Sequence, residues 1–299
     1  MNAIEIRELT KSFGQKQALR GLDMTVPVGA IYGFIGENGS GKSTTEKIIC
    51  GLIHPSEGSV KLFGKEYTDA DVRAKVGVLI EAPGCFPNYS VWNNMMLQAA
   101  NLSIQNPEQE VIKVLKTVRM EGAASNKYKN CSLGMKQRIG IAMALLGNPT
   151  LLVLDEPING LDADGMRIMR EVLVDITSSY GCTVVISSHI LGELEKIATH
   201  YGIVRGGKMI AEMTADELEE NCRTYVALQA KDMNRTKAQL SSKYSRVEED
   251  EAGYIRIYDA VSSEEIVTYL YENGILVSEI KRDKIGLEEY YIDLMKEGR

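Results

Sequence analysis

Paired cysteines are missing from this sequence. Its five cysteines (Cys50, Cys85, Cys131, Cys182 and Cys222) are scattered, odd in number and never spaced C-x-x-C. That argues against a disulfide framework or a zinc site and suits reduced thiols in a cytosolic protein. Long apolar runs are missing too. Nothing approaches the ~18–20 consecutive apolar residues of a bilayer span, so any membrane part must come from another chain. The opening stretch alternates charged and apolar residues from Ile4 onward and does not read as a secretory signal. A basic run is also absent. Acidic residues outnumber Lys and Arg, 41 to 34, for a formal net charge of −7. A duplex-binding protein needs a concentrated basic face, so nucleic acid is not expected as a partner. There is no internal repeat and no low-complexity tract.

What remains is a chain of 299 residues, 44% apolar and 25% charged, enough for one large domain and a small one. Strand-like runs occur at residues 3–6, 21–26, 30–35, 76–80, 150–154 and 183–187. Several of these are apolar throughout and alternate with helical stretches, which predicts a largely parallel sheet covered on both faces. Residues 91–146 are mostly helical in period, with Met95, Met96, Ile112, Leu115 and Val118 expected on buried faces. The pattern changes near residue 220. Strands at 225–229, 245–249, 254–258 and 275–281 and helices at 234–242 and 263–272 follow the β-α-β-β-α-β order of a ferredoxin-like unit, with a last helix at 287–296. The expected domains are 1–218, with a helical subdomain at about 84–147, and 219–299.

Gly36-Glu37-Asn38-Gly39-Ser40-Gly41-Lys42-Ser43 joins the strand at 30–35 to a helix from about residue 42 to 51. Glycines at 36, 39 and 41 permit a tight path, so backbone amides of residues 38–43 can converge on phosphates beside a helix N-terminus. Lys42 reaches the β/γ oxygens and Ser43 offers a hydroxyl to Mg²⁺. Leu151-Leu152-Val153-Leu154-Asp155-Glu156-Pro157 is the second element. A buried strand delivers two adjacent carboxylates at its carboxyl end, where ligands gather in such sheets. Asp155 suits the Mg²⁺ shell, and Glu156 suits a general base that polarises water.

With these motifs in their order, residues 3 to about 215 resemble the nucleotide-binding subunit of an ABC transporter. The fold this implies is an α/β phosphate-loop ATPase domain, a mixed core sheet plus helical subdomain, here followed by the small α+β unit. The resemblance implies ATP and Mg²⁺ as cofactors. Expected nucleotide contacts are Phe13 (an aromatic against adenine, or else a core Phe), Gly36, Asn38, Gly39, Ser40, Gly41, Lys42, Ser43 and Thr44. Cys131-Ser132-Leu133-Gly134-Met135-Lys136-Gln137-Arg138 sits at the signature position, so Ser132 and Gly134 are implied to bind the γ-phosphate held by a second copy. Asn159-Gly160-Leu161-Asp162 resembles the loop that meets its twin across that dimer, and His189 matches the switch histidine. Catalysis is expected from Glu156, His189 and Lys42, and metal binding from Ser43, Asp155 and Glu81. The implied partners are an integral-membrane permease and a second copy in an ATP-sandwich homodimer. The implied location is cytoplasmic, peripheral on the inner face of the membrane.

Three departures stand out. Leu133 and Met135 replace the usual Gly and Gln of the signature. Glu81 replaces a Gln that links metal to permease, exchanging an amide for a charged acceptor. Both features resemble the bacitracin/lantibiotic-resistance branch, so the expected function is to power export of antimicrobial peptides or similar amphiphiles. A soluble mechanical ATPase acting on ribosomes or nucleic acid is the rival, and a non-hydrolysing regulator a third reading. Glu46 is the third departure, an acid where an apolar residue is usual. It is open between a solvent-facing position, a salt-bridged acid and a deliberate substitution. Phe86, Tyr89, Val91 and Trp92 form either an exposed groove for the permease or ordinary core. The acidic cluster at 248–251 reads as a solvated turn.

Overall fold

The computed structural model describes residues 1–221, 224–250, 252–258 and 262–297; Cys222 and Glu251 lie outside the described residues. The chain forms two compact units, Met1–Ala215 and Asp216–Arg299.

The first unit opens with two long antiparallel strands, β1 (Asn2–Phe13) and β2 (Lys16–Pro27), followed by β3 (Ile31–Ile35), helix α1 (Lys42–Ile49), β4 (Glu57–Leu62) and β5 (Lys65–Glu66). Strands β1, β2, β4 and β5 pair in the order β2-β1-β4-β5. The sequence reading found only short pieces of this sheet, because β4 carries just two buried residues, Val60 and Leu62. The chain continues through α2 (Ala70–Arg73), β6 (Val76–Leu79), α3 (Val91–Asn101), α4 (Pro107–Thr117), α5 (Leu133–Leu145), β7 (Leu151–Asp155) and α6 (Ala163–Tyr180). Then come β8 (Thr183–Ser188), the single turn α7 (Leu191–Leu194), β9 (His200–Arg205) and β10 (Lys208–Thr214).

A second sheet runs β10-β9-β3-β8-β7-β6. Its pairs are parallel except β9 with β10. Strands β3 and β8 are buried at every residue, as expected where both faces are covered. One apolar cluster joins Ile6 and Leu9 of β1 and Met24 of β2 to Ile48 and Ile49 of α1 and to Phe34, Val153 and Val185 of the parallel sheet. Helix α1 is therefore enclosed between the two sheets. Burying Ile48 and Ile49 contributes roughly 2 kcal/mol each.

Helices α3, α4 and α5 fill the interval between β6 and β7. On α4 the buried stripe passes through Val111, Val114 and Leu115 and on to Val118. The sequence placed Ile112 on that face, but it is 57% exposed. It lies one residue, about 100° of helix, off the stripe. Met96 is half-buried, while Met95, Leu115 and Val118 are buried as expected.

In the second unit, α8 (Ala215–Asn221) leads into β11 (Thr224–Ala230), α9 (Met233–Ser241), β12 (Val247–Glu249), β13 (Ile255–Ile257), α10 (Ser263–Glu272), β14 (Val277–Lys284) and α11 (Leu287–Glu297). The strands pair in the order β12-β13-β11-β14, all antiparallel, which is a ferredoxin-like arrangement of the β-α-β-β-α-β elements. Val226, Leu228, Ile255 and Ile257 pack with Leu240, Ile266 and Leu270 of α9 and α10. Arg256, between two buried isoleucines, faces the other way and pairs with Glu289 of α11 at 2.9 Å. Alternation along β13 thus sends apolar chains to one layer and charge to the other. Leu270 is fully buried in this small core, so Leu270→Ala should cost about 3 kcal/mol. Amide hydrogen exchange in α10 and β11 should accelerate accordingly; unchanged protection there would contradict this packing.

Candidate functional site

The loop after β3 has little steric freedom. A β-carbon on Gly36 would lie 2.5 Å from the Val204 carbonyl oxygen and 2.6 Å from Ser40 Oγ. Gly41, with φ 117°, adopts a backbone that side chains rarely take, and a β-carbon there would meet Leu19 Cδ2 at 2.7 Å. The Ser40 carbonyl accepts from Gly207 N at 2.8 Å, which ties the loop to the turn after β9. Helix α1 then begins, and the amides of its first turn have no partner within the helix.

Lys42 is only 6% exposed. Its Nζ donates to the carbonyls of Gly36 (2.6 Å) and Glu37 (3.3 Å), so the side chain curls over its own loop. Around the loop lies a cleft of about 340 Å³ lined by Phe13, Lys16, Ala18, Asn38, Gly39, Gly41, Lys42, Ser43, Thr44, Asp155 and Glu156. The structure therefore brings together most of the expected nucleotide contacts. Gly36 and Ser40 lie beneath the cleft, buried. Phe13 is half exposed at the rim, with Lys11 Nζ 5.1 Å from its ring centre. Lys16 and Ala18 were not picked out from sequence; they belong because β2 passes beside the loop.

Asp155 and Glu156 leave β7 next to the end of β8. Ser187 Oγ donates to Asp155 Oδ1 at 3.0 Å and accepts from the Glu156 amide at 3.1 Å. Glu156 has φ 49°, in the left-handed region, a conformation that costs a non-glycine residue about 1 kcal/mol and turns its side chain back toward the sheet end. There its Oε2 lies 2.7 Å from His189 Nδ1. Ser187 is thus the hub that the sequence reading passed over as the end of a strand. The signal for it was a hydroxyl paired in register with Asp155 on the neighbouring strand.

Other expected residues lie elsewhere in the chain. Ser132 caps α5, accepting from Met135 N at 3.3 Å. Neither Ser132 nor Gly134 lines the cleft of its own chain. Leu133 is 49% exposed, and a β-carbon on Gly160 would lie 3.0 Å from Leu133 Cδ2. The signature and the 159–162 loop therefore touch within one chain. Glu81 is also outside the cleft. Its side chain is exposed, with φ 67°, and pairs with Lys47 of α1 at 2.9 Å. Phe86 and Tyr89 stack at 5.3 Å and are about half exposed, whereas Val91 is buried and Trp92 half-buried. A larger hollow, about 470 Å³, lies between β6 and α5, lined mainly by apolar residues such as Val78, Leu79, Pro83 and Met143. It has none of the carboxylates of the first cleft.

Glu46 corrects two of the readings left open by the sequence. It is neither solvent-facing nor salt-bridged: its exposure is zero, and among the described residues neither carboxyl oxygen has a hydrogen-bond partner. Lys42 is turned to its own loop, and the Ser187 hydrogen is given to Asp155. Burial, reinforced by the neighbouring charge of Asp155, pushes the Glu46 carboxyl up to about 8. Cys50, one turn further along α1, is pushed up as well, by burial and by Glu46.

The folded chain therefore keeps a proton on Glu46 that the unfolded chain releases in the ordinary carboxylate range. The associated stability is complete below that range and is lost as pH rises toward about 8. By pH 7 the loss amounts to roughly 3 kcal/mol. Melting temperatures from pH 5 to 8 should fall more steeply for the native chain than for Glu46→Gln, with the two curves converging at the acid end. Parallel curves would contradict the buried, unpaired state.

Residues 19–159 match the family described as ABC transporter. The bacitracin transport ATP-binding protein BcrA of Bacillus licheniformis is 34% identical over 300 residues, covering 99% of this chain and 98% of that protein. The lantibiotic transport ATP-binding protein SrtF of Streptococcus pyogenes is 40% identical over 216 residues, covering 72% of this chain and 93% of that protein. Among solved structures, cbiO1 of Clostridium perfringens, part of the ABC transporter complex cbiONQ, superposes with a TM-score of 0.67 at 26% identity, covering 72% of this chain and 90% of that one. The phosphate loop, the paired carboxylates and relatives matched along nearly the whole chain lead to one conclusion: this chain belongs to the ABC transporter family, as an ATP-binding, ATP-hydrolysing subunit.

Proposed function

We propose that this chain powers an exporter of antimicrobial peptides or similar amphiphiles, hydrolysing ATP at the cleft between the phosphate loop and the end of β7. The observation that carries the hydrolytic reading is the Glu156–His189 contact of 2.7 Å beside the phosphate loop that carries Lys42. Similarity to transport subunits, along 99% of this chain for BcrA, favours export over action on ribosomes or nucleic acid.

In this reading Phe13 offers a ring to the base. Asn38, Gly39, Ser40, Gly41 and Thr44 surround the phosphates with backbone donors, and Lys42 exchanges the Gly36 carbonyl for a phosphate oxygen. Ser43 and Asp155 line the same cleft and provide the hard oxygen donors that suit Mg²⁺. Bound there, Mg²⁺ would neutralise charge on the transferring phosphoryl group. Glu156 takes a proton from the attacking water, and His189 orients Glu156 through Nδ1. Ser132 and Gly134, remote from their own cleft, are read as donors to the γ-phosphate in a second copy's cleft. That makes the working unit a homodimer with two composite sites.

Among the described residues no helix is long and apolar enough to cross a membrane, so the transport path is assigned to a permease partner and this chain to the membrane's inner face. The hollow between β6 and α5, with Phe86 and Tyr89 exposed on the loop that follows β6, is the proposed dock. In this reading Glu81, now paired with Lys47, would offer a carboxylate oxygen to bound Mg²⁺ and so couple hydrolysis to the permease. Residues 1–218 are taken as the ATPase domain and 219–299 as an accessory domain.

Glu156→Gln should lower turnover roughly a hundredfold or more while leaving ATP affinity within about threefold, measured by steady-state hydrolysis and nucleotide titration. Retained turnover would remove Glu156 from the mechanism. Glu81→Gln should lower resistance to the exported peptide in cells carrying the permease. Unchanged ATPase rate and unchanged resistance together would remove the coupling role.

A further inference from the structure

Glu46 has no role in the mechanism above, yet it sits under its centre. The eight-residue helix α1 is buried along Thr45, Glu46, Ile48 and Ile49. An apolar chain at position 46 would continue that surface. The carboxyl found there instead is wholly enclosed, with both oxygens unpartnered among the described residues. Such burial is costly and gives the fold nothing in return.

Its surroundings are the hydrolytic site itself. The charged groups facing it are Asp155, Glu156 and Lys42, and the Ser187 hydroxyl approaches without forming a bond of normal geometry. Lys42 is committed to the Gly36 and Glu37 carbonyls. Ser187 spends its hydrogen on Asp155 Oδ1 and takes the Glu156 amide on one lone pair. A hydroxyl oxygen can accept twice, so Ser187 retains an acceptor position, and Asp155 has a second oxygen, Oδ2. Glu46 is therefore a buried hydrogen-bonding group without a partner, beside a Ser187 hydroxyl with an acceptor position to spare.

We propose that Glu46 is a positioning residue of the hydrolytic site, its carboxyl joining the Ser187–Asp155 pair from the α1 side and fixing the direction in which Asp155 presents its oxygen to the metal. The inference rests on the proposed reading of Asp155. Groups behind a metal ligand commonly fix its orientation, and their loss lowers metal affinity about tenfold or more. An amide keeps a hydrogen-bonding group of the same shape at this place; an aliphatic chain does not.

The test compares the full-length native chain with Glu46→Gln and Glu46→Leu. Four quantities are read: ATP affinity in EDTA, Mn²⁺ affinity of the ATPγS-bound chain by electron paramagnetic resonance, kcat and KM for ATP hydrolysis, and melting temperature at pH 7.5. Glu46→Leu should melt higher than the native chain and bind metal-free ATP within about twofold. It should bind Mn²⁺ roughly tenfold more weakly and lose kcat by a similar factor at unchanged KM. Glu46→Gln should return Mn²⁺ affinity and kcat to within about threefold of native. A Leu variant equal to native in Mn²⁺ affinity and kcat would overturn the role, as would a Gln variant that fails like Leu. A Leu variant that melts lower would make Glu46 a structural residue and overturn it equally. A native chain that neither binds nor hydrolyses ATP would instead overturn the proposed function, a separate outcome visible before any variant is made.

Discussion

Between Gly36 and the carbonyl of Val204 there is no room for a β-carbon, and the geometry of the site follows from that close approach. It lets the chain leaving β3 fold back at once against the neighbouring strand β9. The loop closes over six residues, and α1 is directed into the space between the two sheets. Lys42 is thereby delivered above the sheet edge where β7 and β8 end, and where Asp155, Glu156, Ser187 and His189 emerge. A bulkier residue at position 36 would widen the turn and shift the start of α1. Every distance between loop and carboxylates would shift with it.

Enclosing α1 has a second effect. Beyond the phosphate loop, the buried side of α1 runs through Thr45, Glu46, Ile48 and Ile49. Ile48 and Ile49 suit that enclosure, and the Glu46 carboxyl does not. The departure occurs one helical turn beyond Lys42, at the point where the helix faces the end of the central sheet. Proteins depart from local consistency most often where a site requires it. The conflict between the packing of α1 and the chemistry at its side is thus a physical signpost, independent of any comparison with relatives.

The legible parts of the sequence were those fixed by short-range rules. Gly-rich spacing around Lys42, an apolar run ending in two acids, and alternation in residues 224–284 each state their structure locally. What was illegible depended on partners distant in sequence. Strand β4 is recognisable only beside β1, and Ser187 becomes a hub only because β7 and β8 pair in register. Ile112 reads as helical core until the packing of α4 selects the adjacent stripe. The same blindness affected Glu46 in both directions. Sequence identified it as odd, but burial and the commitments of Lys42 and Ser187, which define its chemistry, are tertiary facts.

Two acids at the ends of adjacent strands share a further property. Glu81 after β6 and Glu156 after β7 both have left-handed backbones, at φ 67° and 49°, and each is engaged by a basic side chain, Lys47 or His189. Backbone strain at a strand end aims a side chain that the strand itself would send up or down. Lys47 lies on α1 one residue beyond Glu46, so a single helix supplies both the cation that holds Glu81 and the buried carboxyl facing Asp155. Glu81 leads toward the surface beside Phe86 and Tyr89, and Glu46 leads toward Asp155. In this arrangement α1 is the element that joins the phosphate loop to the ends of both strands.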